Sequence, residues 1–203
     1  MKRYALFLGV LLMTASTILG QTGLNAHSSH LSTQAFLSLA ERCAPGVPSD
    51  TLLAIARTES GLSVDALSLN RPQSAARQAG YREAKLVLGR QPKNHEEAIR
   101  WMHWFEKHRC TVSIGLMQVN SEMAALASIP PEQLFEPCTN IRVGAQILLA
   151  AYTAQASELG EGFAALDKAL SLYNSGSPRM GFANGYVAAV YAHAARASMA
   201  GEQ

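Results

Sequence analysis

Glu59 lies in the stretch TLLAIARTESGL, residues 51–62, and its placement points to proton chemistry. At ~100° per residue of an α-helix, Leu52, Ile55, Ala56 and Glu59 fall on one face, whereas Asp50 and Arg57 fall on the other. A carboxyl group beside a core-facing stripe is stripped of water, which disfavours its charged form. The partial negative charge at a helix C-terminus acts in the same direction. An exposed Glu, with a pKa of ~4.3, is ionised at neutral pH. A Glu so placed can keep its proton near neutrality and act as a general acid. The alternative is an inert side chain that reaches past the helix end into water.

Two later stretches add hydrogen-bonding tips next to apolar residues and glycines. GLMQVN, residues 115–120, carries Met117, Gln118 and Asn120, and LYNSG, residues 172–176, carries Tyr173 and Asn174. Ser60 follows the acid directly. Gly115 and Gly176 let the backbone turn tightly or approach a ligand closely. Each stretch alone could be an ordinary loop. Their order, with 59 residues from Glu59 to Gln118 and 55 from Gln118 to Tyr173, makes the set specific.

The elements that must hold these residues are almost all helical by periodicity. Residues 33–42 and 50–60 form two helices separated by the breaker cluster CAPGVP, with Pro48 and Ser49 or Asp50 as a start and Gly61 as a stop. A third candidate covers 73–88. In NHEEAIRWMHWFEKHR, Asn94 caps a helix and Glu97 completes a capping box, with Ala98, Trp101, Met102 and Phe105 forming a stripe. That stripe reads as core packing, with an aromatic sugar platform as the alternative. Further helices are expected over about 139–157 (Ile141, Ala145, Leu148 and Tyr152 on one face), 163–173 and 184–198. No run of alternating strand residues stands out, and the expected class is all-α.

The chain has 203 residues, enough for one domain with a proper core, and a net charge of +2 with no block of like charges. Nothing electrostatic points to nucleic acid. Lys2 and Arg3 precede the apolar run YALFLGVLLMTASTILG, which turns polar by Gln21. This reads as a signal peptide over about residues 1–26, cleaved between Gly20 and Ala26, with an uncleaved anchor as the alternative. Either way the remainder, 27–203, is exported, and the membrane is met only through that segment.

Export lets cysteines oxidise, and Cys43, Cys110 and Cys138 leave one unpaired. The pairing is open from sequence; Cys43 with Cys138 is the expectation, since both sit at helix edges. The cysteines lack zinc-ligand spacing and the six histidines are scattered, so neither a metal nor another cofactor is expected.

The order E-S, G-L-M-Q-V-N and Y-N-S-G resembles the soluble lytic transglycosylase family over roughly residues 43–195. The wording DTLLAIARTESGL, IGLMQVN, EPCTNIRVGAQIL and YNSGSPRMGFANGYVAAV is most similar to members encoded with type IV secretion and conjugation systems. The resemblance implies a lysozyme-like, mostly helical domain in the periplasm that opens peptidoglycan glycan strands for such an apparatus. It implies Glu59 as the catalytic acid, with Ser60, Met117, Gln118, Asn120, Tyr173 and Asn174 around the sugar. Leu62 and Val64 stand where the family often has an aromatic residue and a proline, and a helical insertion of about 70–109 either lines or partly covers the groove or simply enlarges the fold, the last being the expectation.

Glycosidic cleavage usually needs two carboxylates. The motifs supply one, and Asp65, the nearest acid, matches no motif position. The resemblance implies that the substrate supplies the rest: its N-acetyl group stabilises the positive charge and its 6-hydroxyl attacks the anomeric carbon, giving a 1,6-anhydro sugar. The alternatives are a hydrolytic muramidase and a non-catalytic wall-binding subunit of the secretion system.

Overall fold

The computed structural model describes residues 29–72 and 88–201. The expected signal peptide, and all but the last residue of the helix expected over 73–88, lie outside them. No helix among the described residues is long and apolar enough to cross a membrane.

The chain is predominantly helical, as the resemblance implied. Helix α1, Thr33–Cys43, starts where Ser32 accepts a bond from the Ala35 amide at 3.1 Å, the ordinary service of an N-cap serine. Helix α2, Ser49–Ser60, ends at Gly61, whose φ of 61° is the left-handed conformation glycine adopts without steric cost. Leu52, Leu53, Ala54, Ile55 and Ala56 are all buried, so α2 is a central helix rather than one with a single apolar stripe. Helix α3, His95–Lys107, is capped by Asn94, which accepts from Glu97 N at 2.9 Å. The capping box is altered: the Glu97 carboxylate reaches Lys93 N, one residue before the cap, and also meets Arg90 through two bonds of 2.7 and 3.0 Å. Ala98, Met102 and Phe105 enter the core, whereas Trp101 carries the Arg90 guanidinium 4.7 Å above its ring.

The expectation of no strands is corrected by a small antiparallel sheet of order β1-β2-β3: Leu67–Pro72, Cys110–Ile114 and Val119–Asn120. Leu67 pairs with Ile114 and Val119 pairs with Ile114 from the other side. These strands are too short for their alternation to stand out, and β2 is buried at four of five positions, which hides its period. Pro72 ends β1, the edge strand, opposite Cys110 and after a shift in register.

Helix α4, Ser121–Leu126, and a 3₁₀ turn, Pro131–Phe135, lead to α5, Pro137–Leu159. There Glu136 caps the Cys138 and Thr139 amides, and Ile141, Ala145 and Leu148 are buried. Helix α6, Phe163–Ser175, lies along α5, and the short α7, Met180–Ala183, turns the chain into α8, Tyr186–Gly201, which packs on α2. Cys43 and Cys138 form a disulfide that joins the end of α1 to the start of α5 across 95 residues, a span long enough to restrict the unfolded chain considerably. Cys110 is a buried free thiol among the described residues.

Candidate active site

Glu59 stands in the last turn of α2, half-buried, in a cleft of about 310 Å³ lined also by Thr58, Ser60, Ser63, Leu67, Ser68, Gln91, Pro92 and Gln118. It is the one carboxylate among the described lining residues. Burial pushes its pKa from the ordinary carboxylate value to about 7, against a hydrogen bond that favours the charged form. That bond comes from Tyr186, whose hydroxyl donates to Glu59 Oε1 at 2.6 Å from 127 residues away. A carboxyl group poised near neutrality can give a proton at one step and take one at the next.

The neighbouring groups are held by the turn Gly115-Leu116-Met117-Gln118, closed by Gln118 N on Gly115 O at 3.1 Å. Gly115 has a φ of +74°, and a Cβ there would lie 2.6 Å from Asn140 Nδ2 and 2.8 Å from Leu134 O, so only glycine fits. Buried Asn140 of α5 pins the turn: its Oδ1 accepts from Met117 N at 2.7 Å, and its Nδ2 donates to Ile114 O at 2.8 Å and Leu134 O at 2.6 Å. Gly144, one helical turn on, leaves room for Met117; a Cβ there would come within 2.7 Å of Met117 Cβ. Gln118 itself adopts a φ of 47°, an uncommon conformation for a residue with a side chain. Its Nε2 donates to Gly115 O at 3.0 Å and Ala66 O at 3.2 Å, which fixes the strained residue in place.

Ser60 faces this same turn, its hydroxyl lying 2.8 Å from Leu116 O and 3.1 Å from Ala56 O. It ties α2 to the turn and so fixes where Gln118 stands relative to Glu59. Met117 is fully buried, its carbonyl accepting the Tyr173 hydroxyl at 2.7 Å. Tyr173 lies close enough to Glu59 for the carboxylate to raise its pKa further, after burial has already pushed it well up. Both Tyr173 and Tyr186 therefore stay neutral hydrogen-bond donors. Asn174 Oδ1 accepts from Asn184 Nδ2 at 2.8 Å, and Asn184 Oδ1 accepts from Tyr186 N at 3.1 Å, so Asn174 steadies the start of α8. Asn120 caps α4 through a 2.9 Å bond from Glu122 N.

The structure thus gathers Glu59, Ser60, Gln118 and Tyr173, sets Met117 beneath them in the core, uses Asn174 at one remove, and gives Asn120 a capping task. Asp65 is buried and its Oδ1 accepts from His95 Nδ1 at 2.8 Å, outside the lining of the cleft. Sequence reading missed Tyr186 and Asn140. Both lie in stretches that carry the family wording, yet each has an ordinary helical setting, and only long-range contacts reveal their tasks.

Removing the Tyr186 hydroxyl has an expected signature. Without that donor the Glu59 pKa rises above about 7. In Tyr186→Phe the alkaline limb of a pH–rate profile therefore moves to higher pH. The maximal rate falls about tenfold, because one short bond that orients the carboxyl group is lost. Profiles of wild type and variant measured side by side check both effects.

A family model described as Transglycosylase SLT domain matches residues 36–193. Protein virB1 of Agrobacterium fabrum is 30% identical over 175 residues, covering 84% of this chain and 63% of that protein. Protein virB1 of Rhizobium radiobacter is 31% identical over 157 residues, covering 77% and 59%. Type IV secretion system protein virB1 of Brucella abortus is 32% identical over 148 residues, covering 72% and 56%. The chain spans about 60% of the length of these curated relatives. No solved structure matches it significantly.

Proposed function

This chain belongs to the transglycosylase SLT domain family, and from that premise we propose that it is a lytic transglycosylase cleaving the bond between N-acetylmuramic acid and N-acetylglucosamine in peptidoglycan. The observation that carries this reading is a single buried carboxyl group with a pKa near 7 in a cleft that offers no second carboxylate among its described lining residues.

Glu59 first donates its proton to the leaving glycosidic oxygen. The oxocarbenium-like charge that develops is stabilised by the substrate's own N-acetyl group, as the described lining of the cleft offers no second carboxylate for it. Glu59, now ionised and steadied by the Tyr186 hydroxyl, then takes the proton of the muramyl 6-hydroxyl as that oxygen closes on the anomeric carbon. One group serves as acid and then base because its pKa lies between the two tasks. Gln118 lines the cleft beside the reacting sugar, and Ser60, Asn140 and Tyr173 hold its turn in place.

The relatives named for a type IV secretion system support a place for this activity in the periplasm, opening the wall locally for a secretion or conjugation apparatus. An N-terminal signal peptide provides the export that this place requires.

Product mass tests the chemistry. Digestion of purified wall by the wild-type protein should release muropeptides whose muramyl end is lighter by one water than a hydrolysed end. Reducing-end products alone would mean that water is the nucleophile, and the reading would pass to a muramidase.

A further inference from the structure

Ser29, His30 and Leu31 precede the span of the family match and run antiparallel to the loop that leaves α2. Leu31 N donates to Leu62 O at 2.9 Å and Val64 N donates to Ser29 O at 2.7 Å, so His30 stands opposite Ser63 as in a two-stranded ribbon. Ser29, His30 and Ser63 all line the cleft that holds Glu59. This short strap is therefore part of the wall of the candidate site.

What the strap grips is strained. Gly61 and Leu62 have φ of 61° and 69°, and Ser63 N donates to Ser60 O at 3.2 Å, which makes a tight turn with both central residues left-handed. Glycine takes that conformation freely, whereas leucine does not. Such a residue persists only where its surroundings over-determine it. Leu62 is buried, and its carbonyl is held by the strap. The turn begins at Ser60, directly after Glu59, so relaxation of Leu62 is passed to the last turn of α2. Two further holds converge there: Arg57 Nη2 donates to Thr33 Oγ1 at 2.8 Å, and the Ser60 hydroxyl lies 2.8 Å from Leu116 O. Val64 stands where the family often has a proline, and a proline has no N–H to give Ser29 O. This departure from the motif is what one of the two strap bonds requires.

We propose that the strap Ser29–Leu31 is a positioning element for Glu59: by clamping the strained Gly61–Leu62 turn it fixes the last turn of α2 and keeps water from the carboxyl group. Leu31 and Val64 act through that turn, and neither lines the cleft. The proposal rests on the transglycosylase reading and adds to it a part that lies outside the family match.

Val64→Pro and Leu31→Pro in the full chain each delete one strap bond, whereas Val64→Ala and Leu31→Ala keep the N–H and remove only the side chain. Proline suits both places, since His30 and Ser63, the residues before them, are extended in the bridge. The readouts are the carbon-13 titration of the Glu59 carboxyl group and the kinetics of muropeptide release from soluble glycan strands. Each proline variant, set against its alanine partner, is expected to lower kcat about tenfold with KM within about twofold. Water admitted to the loosened turn favours the charged carboxylate. The titration midpoint then falls from about 7 toward the ordinary range, and the alkaline limb of the rate profile moves to lower pH, opposite to the direction expected for Tyr186→Phe. The titratable groups that line the cleft or bear on Glu59 are His30, Tyr173 and Tyr186, and every variant retains them. Leu62→Gly supplies a rescue: glycine forms the turn unaided, so adding Val64→Pro to it should cost under about twofold, and an undiminished loss there overturns the proposal. A lower melting temperature with titration and kcat unchanged would mean that the strap only braces the fold, and a change in KM alone would make it a wall for the glycan; either overturns the positioning role. A shifted titration in a protein that releases no muropeptides rejects the transglycosylase reading and leaves the strap standing.

Discussion

Glu59→Gln is expected to reduce muropeptide release from purified wall by at least about a thousandfold while making the protein more stable at alkaline pH. The first effect follows from the double task proposed for the carboxyl group. General acid–base catalysis contributes roughly 10²–10⁴ per proton transfer, and the Gln amide can perform neither transfer. The second follows from the cost of burying a charge. Burial raises Glu59 to about 7 in the folded protein, so the native state binds its proton more tightly than the unfolded chain does. The neutral form is thus fully stable below the unfolded pKa. Stability is lost as pH rises from there through about 7, by up to roughly 3 kcal/mol at pH 8. Gln carries no charge at any pH and still accepts from the Tyr186 hydroxyl. Denaturant unfolding of both proteins at pH 4 and pH 8 should show equal stability at the first and a more stable variant at the second. A variant that retains wild-type release, or one that gains nothing at pH 8, would show that Glu59 is neither the acid nor a buried charge.

Asn140→Ala is expected to cost roughly 3–5 kcal/mol, among the largest losses available to one substitution in this fold. Its side chain, 1% exposed, satisfies three backbone groups, Met117 N, Ile114 O and Leu134 O. The same change frees the turn that carries Gln118 and receives the Tyr173 hydroxyl, so the activity that remains should fall by about a hundredfold. Asn140→Asp does not rescue it, because a carboxylate would turn an acceptor toward the carbonyls of Ile114 and Leu134. Denaturant melts report the stability loss, and wall digestion well below the midpoint reports the activity loss. A loss under about 1 kcal/mol would mean that water can replace the side chain and that the turn is held elsewhere.

These two residues also divide what was legible in the sequence from what was not. Glu59 announces itself locally. A helix repeats every 3.6 residues, so the placement of an acid on the buried face of Leu52, Ile55 and Ala56 can be read from eight consecutive positions. Asn140 sits in an amphipathic helix where a polar residue ordinarily needs no explanation. The helices over 33–42, 50–60, 139–157 and 163–173 emerge within one or two residues at most starts, because caps, glycines and periodicity all act over short distances. The last of these runs two residues longer, to Ser175. The strands did not emerge, because β1 finds its partner only at residues 110–114, across the inserted segment.

By itself the sequence determined the helical class and the family and singled out the candidate acid, since each is written in contiguous residues whose spacing carries the signal. Only the tertiary structure decided that Tyr186 donates to that acid, that Asn140 pins the turn beside it, and that Gln91 closes the open strand edge at the cleft. Those are contacts between groups 127, 23 and 24 residues apart, and no local pattern encodes them. Hydrogen bonds are short-ranged and directional, so which distant side chain meets a given atom is settled only when the whole core has packed.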